Sequence, residues 1–131
     1  MIRTMSAASI IAVLAVAGPA PAATTGPGAA SRPATDLVLS YAADAGYAAA
    51  TTLTCAPPGG AHPKPARACA TLAKVSGKPA RLKPSSAMCT LELAPITAEI
   101  TGVWRGEPVS WKRTFGNRCD LARTTGRLFA F

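Results

Sequence analysis

Residues 86–95, here called the candidate loop, have the composition of a segment that could be offered to an enzyme as a substrate. They are small or apolar apart from one charge, at Glu92. Pro95 disfavours helical backbone in the residue before it and favours extended geometry, and Cys89 could anchor the loop covalently. Because a protease cleft binds its substrates as extended segments, we hypothesise that the loop is a decoy for an extracellular serine protease, with Leu91 entering the specificity pocket.

Catalytic and metal-binding chemistry is not indicated by the rest of the chain. An enzyme of this kind needs a nucleophile, a base and an orienting group. The chain has one histidine, His62, in a proline-bounded loop, and no two carboxylates at helical spacing. A zinc site is the rival interpretation of the cysteines, but there is no Cys-x-x-Cys pair. We therefore expect no enzyme, no metal and no other cofactor, and interpret His62 as a structural loop residue.

The N-terminal residues are typical of a secretory signal peptide. Arg3 precedes an uncharged apolar run at 7–18, and small residues follow at 20–23. The run is shorter than the roughly 20 residues of a membrane span, although a retained membrane anchor is the alternative. We expect an extracellular protein without membrane association after cleavage. The predicted organisation is a signal peptide at 1–23, a disordered tail at 24–35 and one domain at 36–131.

Four cysteines follow the predicted signal peptide, and their even number in a small exported chain argues for two disulfides. Four cysteines allow three pairings. Each bond would stabilise the domain by about 3–4 kcal/mol, which is a large share of a typical total of about 5–15 kcal/mol. The cysteines are Cys55, Cys69, Cys89 and Cys119.

The chain is basic, with 14 Lys and Arg against 6 Asp and Glu and a net charge of +8. No acidic residue occurs between 45 and 91. Such a surface could bind nucleic acid or another anionic surface, but no aromatic residues are interleaved for base stacking. We interpret it as a solvated basic face and expect no nucleic-acid partner; a cationic surface-binding or antimicrobial module is the alternative function. The basic residues of this stretch are Lys64, Arg67, Lys74, Lys78, Arg81 and Lys83.

The residues before the candidate loop predict two strands and a helix. Apolar residues at alternate positions predict the first strand at 36–41, and a threonine-rich run predicts the second at 47–54. Helix breakers at 55–63 predict a loop. A helix is expected to begin at Pro65, where a missing N–H costs little, and to end near Lys74.

The residues after the candidate loop predict the remainder of an antiparallel sheet. Alternation predicts a half-buried strand at 96–101, a turn at 104–107 and a returning strand from Val109. A short helical turn is predicted at 120–123 and a last strand at 127–131. Because strands outnumber helices and no β-α-β alternation occurs, we predict an α+β domain built on an antiparallel sheet.

Residues 55–72 resemble the signature region of the Streptomyces subtilisin inhibitor family. The resemblance is carried by a Cys-x-Pro, a Gly-x-His-Pro and an Ala-Cys-x-x-Leu pattern in that order. It covers nearly all of the chain that follows the predicted signal peptide. Further matching segments are Met88-Cys89, 102–106, 115–119 and 129–131.

The resemblance implies a fold, a partner and a disulfide pairing. It implies a secreted, homodimeric protease inhibitor with a five-stranded antiparallel sheet and two short helices. The implied disulfides are Cys55–Cys69 and Cys89–Cys119.

The resemblance also implies a site. In the family, the second residue after the third cysteine donates the scissile carbonyl, which implies a reactive bond at Leu91–Glu92. Asn117 is implied to support the loop by hydrogen bonding its backbone around Leu91. The implied protease-binding loop is Met88, Cys89, Thr90, Leu91, Glu92 and Leu93.

The site departs from the commoner family pattern, in which Lys or Met stands at the Leu91 position and often Tyr at the Leu93 position. Leu91 should favour subtilisin-like or chymotrypsin-like proteases, because it would leave the buried carboxylate of a trypsin-like pocket unpaired. Glu92 adds a charge just beyond the bond, which could tune partner choice through repulsion. Without the resemblance, Leu91 and Leu93 would be interpreted as core residues of a strand.

Overall fold

A computed structural model describes residues 17–18 and 34–131. The predicted signal peptide and nearly all of the predicted tail therefore lie outside the described residues. Among the residues that are described, no helix is long and apolar enough to cross a membrane.

Residues 34–131 form an antiparallel sheet accompanied by two helices and two disulfides, which confirms the predicted α+β class. The strands lie in the order β2-β1-β3-β4, and each neighbouring pair is antiparallel. The elements are β1 (Thr35–Ala43), β2 (Ala48–Cys55), α1 (Pro65–Lys74), a short 3-10 helix (Pro79–Arg81), β3 (Ile96–Trp104), β4 (Glu107–Phe115) and α2 (Arg118–Thr125).

The two central strands, β1 and β3, bury one face and expose the other. Successive side chains of a strand point to opposite faces, so apolar residues at alternate positions all reach the core. The register places Leu39 opposite Ile100 and Tyr41 opposite Ala98. The predicted alternation is confirmed: the buried residues of these strands include Leu37, Leu39, Tyr41, Ile96, Ala98 and Ile100.

Helix α1 begins at Pro65, as predicted, and packs its apolar side onto the sheet. Ala68 and Leu72 are buried on that side. Cys69 is bonded to Cys55 at the end of β2, so the helix is tied to an edge strand of the sheet by a covalent bond as well as by packing.

Residues 127–131 do not form the predicted last strand, and the sheet of the described residues has four strands rather than five. The Leu128 amide donates to the Thr125 carbonyl at 3.2 Å, which is a turn contact. Leu128 and its neighbour Phe129 are both buried, whereas adjacent residues of a strand point to opposite faces. The prediction was wrong because a short apolar run does not distinguish a strand from a turn that packs both neighbours on the core.

Two side chains hold the C-terminal segment, one from the loop between β2 and α1 and one from strand β1. The Lys64 amide donates to Nδ1 of the buried His62, and Nε2 of the same ring lies 2.9 Å from the Leu128 carbonyl. Because Nδ1 accepts, Nε2 carries the proton and donates. The Tyr41 hydroxyl donates to the Phe131 carbonyl at 2.9 Å. His62 therefore has a structural role.

Candidate functional site

The candidate loop lies between the 3-10 helix and β3, without regular secondary structure, and is held at both ends. Just before it, the Ser85 amide donates to the Arg123 carbonyl of α2 at 2.9 Å. At its last residue, the Pro95 carbonyl accepts from the Asp44 amide in the β1–β2 turn at 3.0 Å. Two different elements therefore fix the two ends of the loop.

Three large apolar side chains of the loop are almost fully exposed. Met88 is 93% exposed, Leu91 102% and Leu93 82%, whereas the other exposed large apolar side chains among the described residues, Val38 and Tyr47, are less than half exposed. The core positions that strand periodicity alone would give Leu91 and Leu93 are therefore wrong. Because burying one such side chain is worth about 1.5–3 kcal/mol, the loop is a strong candidate for a protein-binding surface.

A disulfide joins the loop to helix α2. Cys89 is bonded to Cys119, with the two Cα atoms 5.7 Å apart. Cys119 lies in the first turn of α2, so the bond fixes the loop backbone two residues before Leu91.

Asn117 joins the loop and the helix through one amide. Its Nδ2 donates to the carbonyls of Thr90 at 3.2 Å and of Glu92 at 2.8 Å, the residues on either side of Leu91. Its Oδ1 accepts from the Asp120 amide at 2.8 Å and so caps α2. Asn117 itself is buried, and its three hydrogen bonds are partly buried.

The candidate loop lines a cleft of about 320 Å³ together with Gly116 and residues of α2. The Ala94 amide donates to the Gly116 carbonyl at 2.8 Å. The far wall carries an ion pair between Arg123 Nε and Asp120 Oδ1 at 2.7 Å. Specific bonds, rather than close packing, therefore hold the loop backbone on this side.

A second cleft, of about 340 Å³, lies beside Glu92 and has an arginine in its wall. The Arg118 guanidinium carbon lies 5.0 Å from the ring centroid of Tyr41, and Tyr47 meets the Tyr41 ring edge-on at 6.3 Å. The Tyr41 side chain raises the pKa of Arg118 above its ordinary value, against the lowering effect of burial. The aromatic pair therefore holds a permanent cation beside the loop.

Sequence reasoning named the loop and Asn117 but missed most of the groups that hold them. The role of Asn117 as a helix cap had a usable signal, because asparagine is favoured at that position. The carbonyls of Gly116 and Arg123 had no signal in the sequence, because any residue can supply a backbone carbonyl. Within residues 17–18 and 34–131, no cluster of His, Cys, Asp and Glu is suited to hold a metal ion.

These features define a class: small, disulfide-linked α+β proteins that present one exposed apolar loop on a rigid support. The sequence pattern of the subtilisin inhibitor-like family matches residues 33–117. The chain belongs to that family, which comprises protease inhibitors and not enzymes.

Several relatives from Streptomyces are similar over much of the chain. A subtilisin inhibitor of Streptomyces violaceus is 51% identical over 80 residues, which are 59% of this chain but only 55% of that protein. Subtilisin inhibitor-like protein 1 of Streptomyces cacaoi is 41% identical over 68% of this chain and 84% of its own. A subtilisin inhibitor of Streptomyces albogriseolus is 39% identical over 92% of this chain and 83% of its own.

A solved structure has a similar fold. It is Streptomyces caespitosus sermetstatin in complex with Bacillus licheniformis subtilisin, and the match has a TM-score of 0.63 at 31% sequence identity. The match covers 75% of this chain and 99% of that one.

Proposed function

We propose that this chain inhibits subtilisin-like serine proteases by presenting residues 88–93 as a substrate, with Leu91–Glu92 as the reactive bond. One observation carries the proposal: Leu91 is fully exposed, while the carbonyls on both sides of it accept hydrogen bonds from Asn117. The relatives named as subtilisin inhibitors, and the similar protein solved in complex with subtilisin, support the choice of protease.

Binding follows from the exposure of the loop. The backbone of the loop adds to an edge strand of the protease, so that main-chain hydrogen bonds supply affinity and side chains supply specificity. Leu91 enters the specificity pocket, where its burial contributes about 1.5–3 kcal/mol. Subtilisin-like and chymotrypsin-like pockets are suited to it, whereas the carboxylate of a trypsin-like pocket would lose hydration without gaining a partner.

Rigidity allows the loop to block the protease instead of being digested. A flexible substrate loses about 0.5–1.5 kcal/mol for each side chain that binding immobilises, and a loop held by Cys89 avoids part of that cost. When the protease attacks Leu91, the released amine belongs to Glu92, whose carbonyl stays bonded to Asn117. The amine remains beside the acyl group, where effective concentrations can reach about 10⁵–10⁸ M. Reformation of the bond then competes with hydrolysis.

An inhibition titration against subtilisin with Leu91→Gly and Leu93→Gly tests the proposal. Both changes remove an exposed leucine from the same loop, but only the first empties the specificity pocket. We expect Leu91→Gly to weaken inhibition by about 30-fold or more, as for a central hot spot, and Leu93→Gly to have a smaller effect.

Two results would contradict this placement of the site. Equal inhibition by the wild type and Leu91→Gly would reject Leu91 as the specificity residue, and a larger loss with Leu93→Gly would move the reactive bond. Inhibition that collapses in salt while surviving Leu91→Gly would instead favour the cationic surface-binding module.

We further propose that the inhibitor is secreted and acts as a homodimer. The signal peptide predicted at 1–23 supports export. Support for the dimer comes from the outer face of the sheet, where Val38 of the central strand β1 is 44% exposed between Thr52 and Thr101 on the neighbouring strands. Small side chains around an exposed valine suit face-to-face contact with a second sheet.

A further inference from the structure

The carboxylate of Glu92 presents a difficulty for the proposed docking. Glu92 directly follows the reactive bond, so its side chain approaches the protease when the loop binds. Docking displaces water, and a charge that loses hydration without gaining a partner is costly. A positive charge close to Glu92 would offset that cost and strengthen inhibition.

Arg118 is a basic residue that lines a cleft together with Glu92. Glu92 and Arg118 line the same cleft of about 340 Å³, with Thr90 on the side of the loop and Tyr47 on the opposite side. Arg118 is the first residue of α2 and lies between Asn117 and Cys119 in the chain. The same short segment therefore supplies the loop's amide support, its disulfide and this cation.

Arg118 takes part in neither of the ion pairs found within residues 34–131. Those ion pairs are Lys112–Glu99 and Arg123–Asp120. Arg123, the arginine of the other cleft, is held by Asp120 at 2.7 Å. The Tyr41 ring holds the Arg118 guanidinium in place without neutralising it.

We propose that Arg118 is a specificity-determining residue that compensates the charge of Glu92 when the loop is bound to a protease. The inference rests on the proposed inhibitory function. Its consequence is that partner choice depends on the two charges together: Glu92 repels acidic protease surfaces less than it would alone, because Arg118 offsets its field as water leaves the cleft.

A double-mutant cycle with Glu92→Gln and Arg118→Gln tests the inference, using inhibition of subtilisin by the full-length inhibitor at low and high salt. We expect Arg118→Gln to weaken inhibition about three- to tenfold at low salt, and less at high salt. In the Glu92→Gln background the same change should have little effect, because the charge that it compensates is gone. Arg118→Lys keeps the cation and should retain most of the inhibition.

Arg105→Gln is the matched control. Arg105 is also an arginine over an aromatic ring, 5.3 Å from the centroid of Trp104, but it lies in the turn between β3 and β4, at the opposite end of β3 from the candidate loop. The change removes the same charge and should leave inhibition unaltered. Urea unfolding of each variant separates a loss of charge compensation from a loss of fold.

The outcomes separate this inference from the proposed function. One result would be that the wild type inhibits while Arg118→Gln weakens inhibition equally in the wild-type and Glu92→Gln backgrounds. That result would reject the inference and leave the inhibitory function standing. An effect of Arg105→Gln equal to that of Arg118→Gln would reject it too, since net charge alone would then be the cause. If the wild type inhibits no subtilisin-like protease, the proposed function fails and the inference fails with it.

Discussion

Asn117 supports the loop and caps a helix with opposite ends of one amide group. Nδ2 donates to the carbonyls of Thr90 and Glu92, and Oδ1 accepts from the Asp120 amide. The two hydrogen bonds from Nδ2 hold the loop backbone on both sides of Leu91. The hydrogen bond to Oδ1 stabilises α2. Because the two roles use different atoms, they can be separated by substitution.

We predict that Asn117→Ser and Asn117→Ala have the same effect on the loop and different effects on stability. Both remove the Nδ2 donors, so subtilisin should cleave the Leu91–Glu92 bond at least about tenfold faster, at about 1 kcal/mol for each lost hydrogen bond. Serine still caps a helix, whereas alanine does not, so Asn117→Ala should lose about 1 kcal/mol more of the free energy of unfolding. Mass spectrometry of the clipped inhibitor and urea unfolding measure the two effects.

Either half of that prediction can fail separately. An unchanged cleavage rate in both variants would limit Asn117 to its capping role. Equal unfolding free energies for the serine and alanine variants would show that the cap contributes little to the stability of α2.

At the scale of elements, the two disulfides join different parts of the fold. Cys55–Cys69 ties helix α1 to strand β2, on the side of the domain built by the N-terminal half. Cys89–Cys119 ties the candidate loop to α2. Their sequence separations are 14 and 30 residues, so the chain-entropy model gives similar stabilities of about 3–4 kcal/mol.

We predict that removing either disulfide destabilises the domain to a similar extent, but that only one removal frees the loop. The variant with serine at both 55 and 69 should lose about 3 kcal/mol of the unfolding free energy and still inhibit subtilisin at temperatures where it is folded. The variant with serine at both 89 and 119 should lose a comparable amount and become a substrate, because the loop backbone before Leu91 is no longer fixed.

Inhibition and cleavage assays at a temperature where circular dichroism shows both variants folded provide the measurement. Tight, lasting inhibition by the variant lacking Cys89 and Cys119 would contradict the role given to the disulfide. A loss of inhibition as severe in the variant lacking Cys55 and Cys69 would show that overall stability, and not the local brace, controls the loop.

At the scale of the whole molecule, the sequence was informative wherever a local pattern decides the structure. Alternating apolar residues predicted β1 and β3 because a strand has a period of two, and Pro65 predicted the first turn of α1. The prediction of a strand at 127–131 was wrong because a turn buries both Leu128 and Phe129. A pattern of only five residues could not distinguish this turn from a strand.

The candidate site was predictable in part. Composition, Cys89 and Pro95 indicated an anchored extended loop, and the family resemblance supplied Asn117. The bonds from Ser85 to Arg123 and from Asp44 to Pro95 could not be predicted, because they join backbone groups of residues far apart in the chain and leave no pattern in the side chains.

The outer face of the sheet is a broad surface on which a second copy could pack. With strands about 4.8 Å apart and a rise of about 3.3 Å per residue, four strands of eight or nine residues present roughly 600 Å² in projection. A stable interface buries about 800 Å² of accessible surface on each partner, so this face approaches the size required. Val38 lies at the middle of β1, with strands on both sides.

We predict that Val38→Lys dissociates the proposed dimer and leaves inhibition intact. A lysine at the centre of a face-to-face contact would bury a charge without a partner, which costs several kcal/mol, whereas the candidate loop would be untouched. Ala73→Lys, on the exposed side of α1, adds the same charge away from the sheet and should remain dimeric. Sedimentation velocity at micromolar concentration distinguishes the two states. A wild-type protein that sediments as a monomer, or a Val38→Lys variant that remains a dimer, would exclude this face as the contact.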